Sequence, residues 1–338
     1  MGKNTFVDGL SEGDRFDDLF LVKSVKLGET RAGKPYLVLS VMDKSGDVSG
    51  PVWDNAEQLH QVCKVGTVVR CRGMVQLYRD NKQLKFDGIE PVAEGDFDLG
   101  DFLPASTRCR EEMARDLEKI IRTVKNPFLK KMLNHFFKKS DWWPHFQEAP
   151  AAKGIHHAYI GGLLEHSLSV ATVADFIANH YEGVDRSLLI SGALLHDIGK
   201  LEELRLDNGV IDYTVRGRLK GHLVIGSEMV GHVAGKIRDF PENLLEHLQH
   251  LILSHHGRLE FGSPTLPMTV EAFVLNLVDD LDAKMNMIEQ LRRKLDSEEL
   301  GWTEYQRVLE RYLYLGGFAK TNDVDERKVS GSHQPTLF

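Results

Sequence analysis

The hydrophobic period of this chain changes once, near Thr107, and that change limits the folds open to it. Before it, short apolar runs are separated by Gly-, Asp- and Asn-bearing turns: Phe20–Val22, Tyr36–Met42, Val48–Trp53, Val65–Gly73, then Met74–Tyr78 facing Gln83–Phe86 across Arg79–Lys82. Short strands at that spacing predict a small barrel or sandwich over residues 1–95. After it, Met113, Leu117, Ile120 and Ile121, then Leu129, Met132, Leu133 and Phe136, return at helical spacing. Residues 96–150 read as a helical connector that ends at Asp141-Trp142-Trp143-Pro144 and carries no assignable chemistry. Residues 151–320 read as an all-α bundle, broken at Leu204–Thr214, where Asp207-Asn208-Gly209 between apolar runs predicts a hairpin. Residues 321–338 are polar and aperiodic and read as a flexible tail. The expected fold class is multidomain α+β, a small β-barrel followed by an all-α helical bundle.

Charge and cysteine usage narrow the partners. A net charge of −8 excludes binding nucleic acid through bulk charge, so any such contact has to be local or carried by metal ions. No apolar run approaches the roughly 20 residues that span a bilayer. No apolar segment of signal-peptide type follows the first residues, and Phe6 stands where a myristoylation signal needs Ser or Thr. No membrane association is expected. Cys63, Cys71 and Cys109 are odd in number and form no CxxC pair, which favours reduced thiols and a cytoplasmic location.

Several of the fifteen histidines end or interrupt apolar helices. Leu195-His196-Asp197-Ile198-Gly199-Lys200 closes the apolar run Leu188–Leu194. A buried carboxylate needs a partner. A divalent cation supplies one, since imidazole and carboxylate both suit Mn, Fe, Zn or Co. Taken alone, the pair is better explained by a cap or a salt bridge. It is not alone: His166 lies in Leu164–Ala171, His222 opens Gly221–Gly226, His255 and His256 close Leu253–Gly257, and Asp279 interrupts Val274–Leu281. Helices that face one another across a bundle core build metal sites from such residues.

The order His…His-Asp…His…His-His…Asp resembles the HD phosphohydrolase superfamily. That resemblance implies His166, His196, Asp197 and Asp279 as primary metal ligands, His222 and His255 as ligands of a second ion, and His256 as a ligand or its support. It implies a phosphoester hydrolase with two divalent ions that activate water and clamp a phosphate, Asp197 helping to bridge them. Lys200 is placed either to contact the phosphate and help the leaving group or to complement the helix dipole. Pro150–Leu163, Asp212–His222, Ser254–Pro264 and Asp279–Met285, with Gly33–Leu37 and Trp53-Asp54 in the N-terminal strands, resemble the YhaM-type 3′–5′ exoribonucleases. The likeness runs to about residue 318. It implies an OB-fold at 1–95, an HD domain at 151–320, manganese as the favoured metal with cobalt, iron or zinc compatible, and removal of nucleotides from the 3′ end of single-stranded RNA, with single-stranded DNA left open.

OB-folds bind single strands by stacking bases on aromatics beside basic side chains. Tyr36, Trp53 and Tyr78 are the expected stacking residues, with Phe86 and with Arg70, Arg72, Arg79, Lys82 and Lys85 nearby. The alternative is that the aromatics fill the barrel. Lys153, His156, His157, Arg216, Arg218 and Lys220 are expected to line a basic approach to the metal site, the alternative being a solvated charged face. Gln334-Pro335-Thr336-Leu337-Phe338 resembles the short peptide by which bacterial proteins dock on the DNA sliding clamp. Two other functions stay open. The same HD chemistry could hydrolyse a small or cyclic nucleotide, which leaves the OB-like strands without a task. A non-catalytic single-strand binder leaves the complete ligand set unexplained.

Overall fold

The computed structural model describes residues 3–30, 32–79, 81–93, 96–154, 157–207, 210–294 and 301–315. Strands β1 (Arg15–Glu29), β2 (Pro35–Asp43), β3 (Gly46–Val52), β4 (Val68–Tyr78) and β5 (Asn81–Pro91) close into a barrel in the order β1-β2-β3-β5-β4, with helix α1 (Ala56–Val62) between β3 and β4. Alternation drives it: Leu37, Leu39 and Val41 on β2 point inward to meet Phe20, Val69 and Leu84. Closure rests on one parallel pairing, Ser49 with Gln83. At the neighbouring Gly50 a Cβ would lie 1.9 Å from the Leu84 carbonyl oxygen, so only glycine permits that approach.

Two details differ from the sequence expectation. Val68–Gly73 and Met74–Tyr78 are not separate segments but fall on one strand, β4. Gly73 marks a bulge against β5, where a Cβ would lie 2.1 Å from the Lys85 carbonyl oxygen. Strand β1 begins at Arg15 and not Phe20, because Asp18 is buried there, accepting bonds from the Asn4 and Thr5 amides (2.8 and 2.6 Å). Cys63 and Cys71 are free and buried in the barrel, where burial pushes both thiols up.

Residues 96–150 divide between two cores. Phe97, Phe102 and Leu103 pack with Leu19, Leu21 and Val68 of the barrel, and Ile160 joins them. Helices α2 (Arg110–Thr123), α3 (Pro127–Asn134, continued by a π-turn at His135–Lys139) and α4 (Trp142–Glu148) send Met113, Leu117, Leu129, Met132, Phe136 and Phe146 into the core of the bundle that follows. Trp142-Trp143-Pro144 therefore opens a helix and does not end the helical region.

The bundle comprises α5 (Gly162–His180), α6 (Arg186–Leu195), α7 (Lys200–Glu203), α8 (Val215–Ala234), α9 (Glu242–Ser254) and α10 (Val270–Lys294). The expected hairpin is present as β6 (Leu204–Asp207) and β7 (Val210–Tyr213). Helix α8 is broken at Gly221, whose φ of 70° few other residues adopt. Among the described residues no helix is long and apolar enough to cross a membrane. The chain forms two compact units, Met1–Ala283 and Lys284–Phe338. Within the second, Trp302 bridges to Tyr314 and Gln306 to Arg311. The tail and its peptide Gln334–Phe338 lie outside the described residues.

Within the barrel the Lys3 ammonium is fully enclosed, 3.2 Å from Asp43, donating to the Leu19 carbonyl at 2.7 Å and lying 3.7 Å from the Phe20 ring centroid. Burial lowers its pKa while Asp43 opposes that shift. Removing one partner of a buried pair strands the other. Asp43→Ala is expected to destabilise the protein by about 3 kcal/mol or more in urea unfolding, whereas mutating the exposed pair Lys23–Asp47 changes stability by less than about 1 kcal/mol.

Candidate metal centre

Helix α6 is buried along Ser187–Leu195, so the residues that leave its C-terminus emerge in the middle of the bundle. His196 is 0% and Asp197 1% exposed there. His166 comes from the buried face of α5, His222 from just past the Gly221 break in α8, His255 and His256 from the end of α9, and Asp279 from α10. These seven residues, spread over more than a hundred positions of sequence, meet in overlapping clusters.

Each imidazole is oriented by a partner at Nδ1. His196 donates to the Ala193 carbonyl (2.8 Å), His255 to that of Ile252 (2.7 Å) and His256 to that of Phe261 (2.9 Å). His222 donates to the Glu203 carboxylate (3.0 Å) and His166 to that of Asp282 (2.7 Å). Because carbonyl and carboxylate oxygens only accept, the Nδ1 proton is fixed and Nε2 is the atom presented inward. Nε2 of His166 lies 3.1 Å from Nε2 of His196, and Nε2 of His222 lies 3.3 Å from that of His256.

Asp197 stands between these groups. Its Oδ2 is 3.6 Å from His166 Nε2 and 3.4 Å from His196 Nε2; its Oδ1 is 3.5 Å from His222 Nε2 and 3.6 Å from His255 Nε2. Asp279 Oδ1 adds to the first group, 3.0 Å from His166 Nε2. Asp197 Oδ1 is buried with no hydrogen-bond partner, a vacancy in its bonding that a cation satisfies. A nitrogen and oxygen donor set without thiolate fits a borderline divalent metal. Electrostatics agree. Burial alone raises the Asp197 and Asp279 carboxyls, but Lys200 and His196 for the first, and His166 and His196 for the second, hold both well below the usual range. Burial also lowers the His196 imidazolium, yet the two carboxylates outweigh it and carry it to about 10. His255, by contrast, is driven by burial to about 3 and is a neutral donor at pH 7.

Of the other expected residues, Lys200 and His157 lie against the cluster and the rest fall elsewhere. Lys200 is 9% exposed with Nζ 2.6 Å from Asp197 Oδ2. Each cation of the expected basic approach is ion-paired, four cations sharing three carboxylates: Lys153 pairs with Asp212 (2.7 Å), Arg218 with Asp212 (3.3 Å), Lys220 with Glu228 (2.6 Å), and Arg216 with Glu228 (2.8 Å) and Glu202. His157 does not line that approach. It is 3% exposed and turned inward, because Asp282 bonds its Nε2 at 3.0 Å. His156 lies outside the described residues. On the barrel, Tyr36 and Trp53 lie together with centroids 5.2 Å apart, Trp53 60% exposed, and Tyr78 is 55% exposed beside Arg79. Phe86 packs edge-on to Phe16 at the barrel core. Sequence reasoning missed Glu203 and Asp282. Asp282 had a signal: it follows Asp279 by one helical turn and so shares its face. Glu203 had none.

Gly199 brings the two halves of the cluster together. A Cβ there would lie 2.1 Å from the His222 carbonyl and 2.6 Å from the Gly226 amide, so α7 and α8 touch backbone to backbone. Gly199→Ala is expected to push His222 away from Asp197 and to weaken divalent-metal binding by about tenfold or more, with helix content retained, as read by metal titration beside circular dichroism.

Comparison with known proteins follows the same division. A profile described as HD domain matches residues 163–284, and one described as OB-fold nucleic acid binding domain matches residues 21–92. The fold and site together define an OB-fold protein with an HD domain. The chain is 37% identical over 312 residues to the 3′–5′ exoribonuclease YhaM of Bacillus subtilis (strain 168), covering 91% of this chain and 97% of that protein. It is 38% identical over 281 residues to that of Bacillus pumilus (82% and 88%) and 36% over 290 residues to that of a Geobacillus species (85% and 88%). The chain belongs to the YhaM family of 3′–5′ exoribonucleases.

Proposed function

We propose that this protein is a metal-dependent 3′–5′ exonuclease that hydrolyses the phosphodiester bonds of single-stranded RNA, with two divalent ions in the cluster centred on Asp197. The observation that carries the two-ion reading is the Asp197 carboxylate, with one oxygen toward His166 and His196 and the other toward His222 and His255. His166, His196, Asp197 and Asp279 would hold one ion; Asp197, His222, His255 and His256 the other. When bound, divalent ions supply Lewis acidity to phosphate oxygens and make water a nucleophile near neutral pH. Manganese is the metal we assign, the donor set being equally open to cobalt, iron or zinc.

The chain's own residues do the rest. The Nδ1 partners keep every Nε2 aimed inward, so little reorganisation is needed when substrate arrives. Lys200, 2.6 Å from Asp197, would set a cation near the phosphate charge or the leaving oxygen. Tyr36 and Trp53 offer paired ring faces on the barrel for stacking of bases, a contact every base makes. Single-stranded DNA is open to the same stacking. Buried free thiols at Cys63 and Cys71 support a cytoplasmic setting.

The test uses a 5′-labelled single-stranded RNA and metal-stripped protein with Mn²⁺ restored. Wild type should produce a ladder that shortens from the 3′ end, and Asp197→Ala should produce none. Intact RNA together with phosphate release from mononucleotides would favour the small-nucleotide hydrolase instead. Trp53→Ala should raise KM for RNA about tenfold with kcat retained; an unchanged KM would remove Trp53 from the binding surface. For the tail, we infer docking of Gln334–Phe338 on the sliding clamp from sequence alone. Deleting these five residues should abolish clamp pull-down and leave nuclease activity intact.

A further inference from the structure

One hydrogen-bonded chain beneath the cluster is not used by the function above. Asp282 Oδ2 accepts from Nδ1 of His166 (2.7 Å) and is 3.0 Å from Nε2 of His157. Its Oδ1 accepts from the Ser169 hydroxyl. Nδ1 of His157 is 2.8 Å from the Tyr159 hydroxyl, which donates to Glu165 at 3.0 Å. His157 adopts a φ of +47°, in the left-handed region where His, like Asn and Asp, is enriched. One residue beyond Tyr159, Ile160 donates to the Pro104 carbonyl (3.0 Å), accepts from the Ser106 amide (2.9 Å) and packs with Leu19, Leu21 and Phe102 on the barrel side. The loop 157–160 is thus fixed at one end to the barrel and at the other to the carboxylate that orients His166.

We propose that His157 and Tyr159 are positioning residues for the metal centre, acting through Asp282 to fix the tautomer and direction of His166, with the barrel as the platform that holds them. The inference rests on the metal-site reading above. Its physical basis is that a carboxylate behind a ligating imidazole sets ring orientation and raises ligand basicity. A carboxylate shared among His166, His157 and Ser169 has one orientation, whereas one bonded to His166 alone can turn about its own bonds. Had His157 been a substrate contact, it would be exposed. It is 3% exposed.

The deciding experiment titrates Mn²⁺ calorimetrically into metal-stripped full-length protein, without RNA, for wild type, Asp282→Asn, His157→Asn and Tyr159→Phe. Asn at position 157 keeps the left-handed backbone while removing the reach to Asp282. Asp282→Asn should weaken the metal site that His166 would hold by about 10–100-fold. His157→Asn and Tyr159→Phe should follow with progressively smaller losses of the same kind. With saturating Mn²⁺, kcat on RNA should fall in that order while KM for RNA stays constant. Thermal unfolding of the metal-free variants should match wild type, and the added stability on metal loading should shrink. If Asp282→Asn and His157→Asn bind Mn²⁺ as wild type does, the inference is overturned, and equally so if only metal-free stability drops. Should Asp282→Asn not fold, the near-isosteric Tyr159→Phe decides by the same readout. A wild type that binds no divalent metal at all is a distinct outcome, which overturns the metal reading itself.

Discussion

Burying the Asp197 carboxylate at the end of an apolar helix costs several kcal/mol unless opposite charge meets both of its oxygens. Much of the helical domain is arranged around that requirement. Helix α6 is buried along Ser187–Leu195, so it cannot place the carboxylate anywhere but in the core. Four further helices each bring an imidazole or carboxylate to it. The spacing between the charged groups is set by backbone contacts that tolerate no side chain, at Gly199 against α8 and at Gly162 against the His157 carbonyl, where a Cβ would come within 2.0 Å. The cluster is consequently set largely by helix packing, with His196, Asp197, His255 and His256 on the turns that leave buried helix ends, which suits a site that must be held within fractions of an ångström.

The barrel solves a different problem. It must close a sheet of uneven strands, and it does so with glycine at the crossings (Gly50, Gly73) and a long, bulged β1 that pairs with β4 over its first half and β2 over its second. The segment 96–106 covers one side of it and hands the chain to the helices. Both domains belong to one compact unit, and the strand-like contact of Ala105 with Ile160 ties the connector to the lead-in of the HD domain.

The sequence disclosed the two-part architecture because its periods differ, and the metal cluster because histidine and aspartate are conspicuous in apolar helices such as Leu188–Leu195. It hid what is coded by a single atom or by a long-range contact. Nothing in the sequence around Gly73 announces the bulge it marks. Asp18 looks like a strand breaker until the Asn4 and Thr5 amides arrive from the N-terminus to satisfy it. His157 looks like a surface cation beside Lys153, and only the fold shows Asp282, more than a hundred residues later, drawing it inward. Glu203 is one acid among many until the chain folds back and sets His222 against it.

The paired cations on the hairpin and α8 carry a consequence for how this enzyme meets its polyanionic substrate. Asp212, Glu202 and Glu228 already pair with Lys153, Arg216, Arg218 and Lys220 and offset most of their charge. A phosphate that binds there exchanges with a tethered carboxylate and not with a mobile counterion. The entropy of ion release that ordinarily drives protein–nucleic acid association is correspondingly small at this surface.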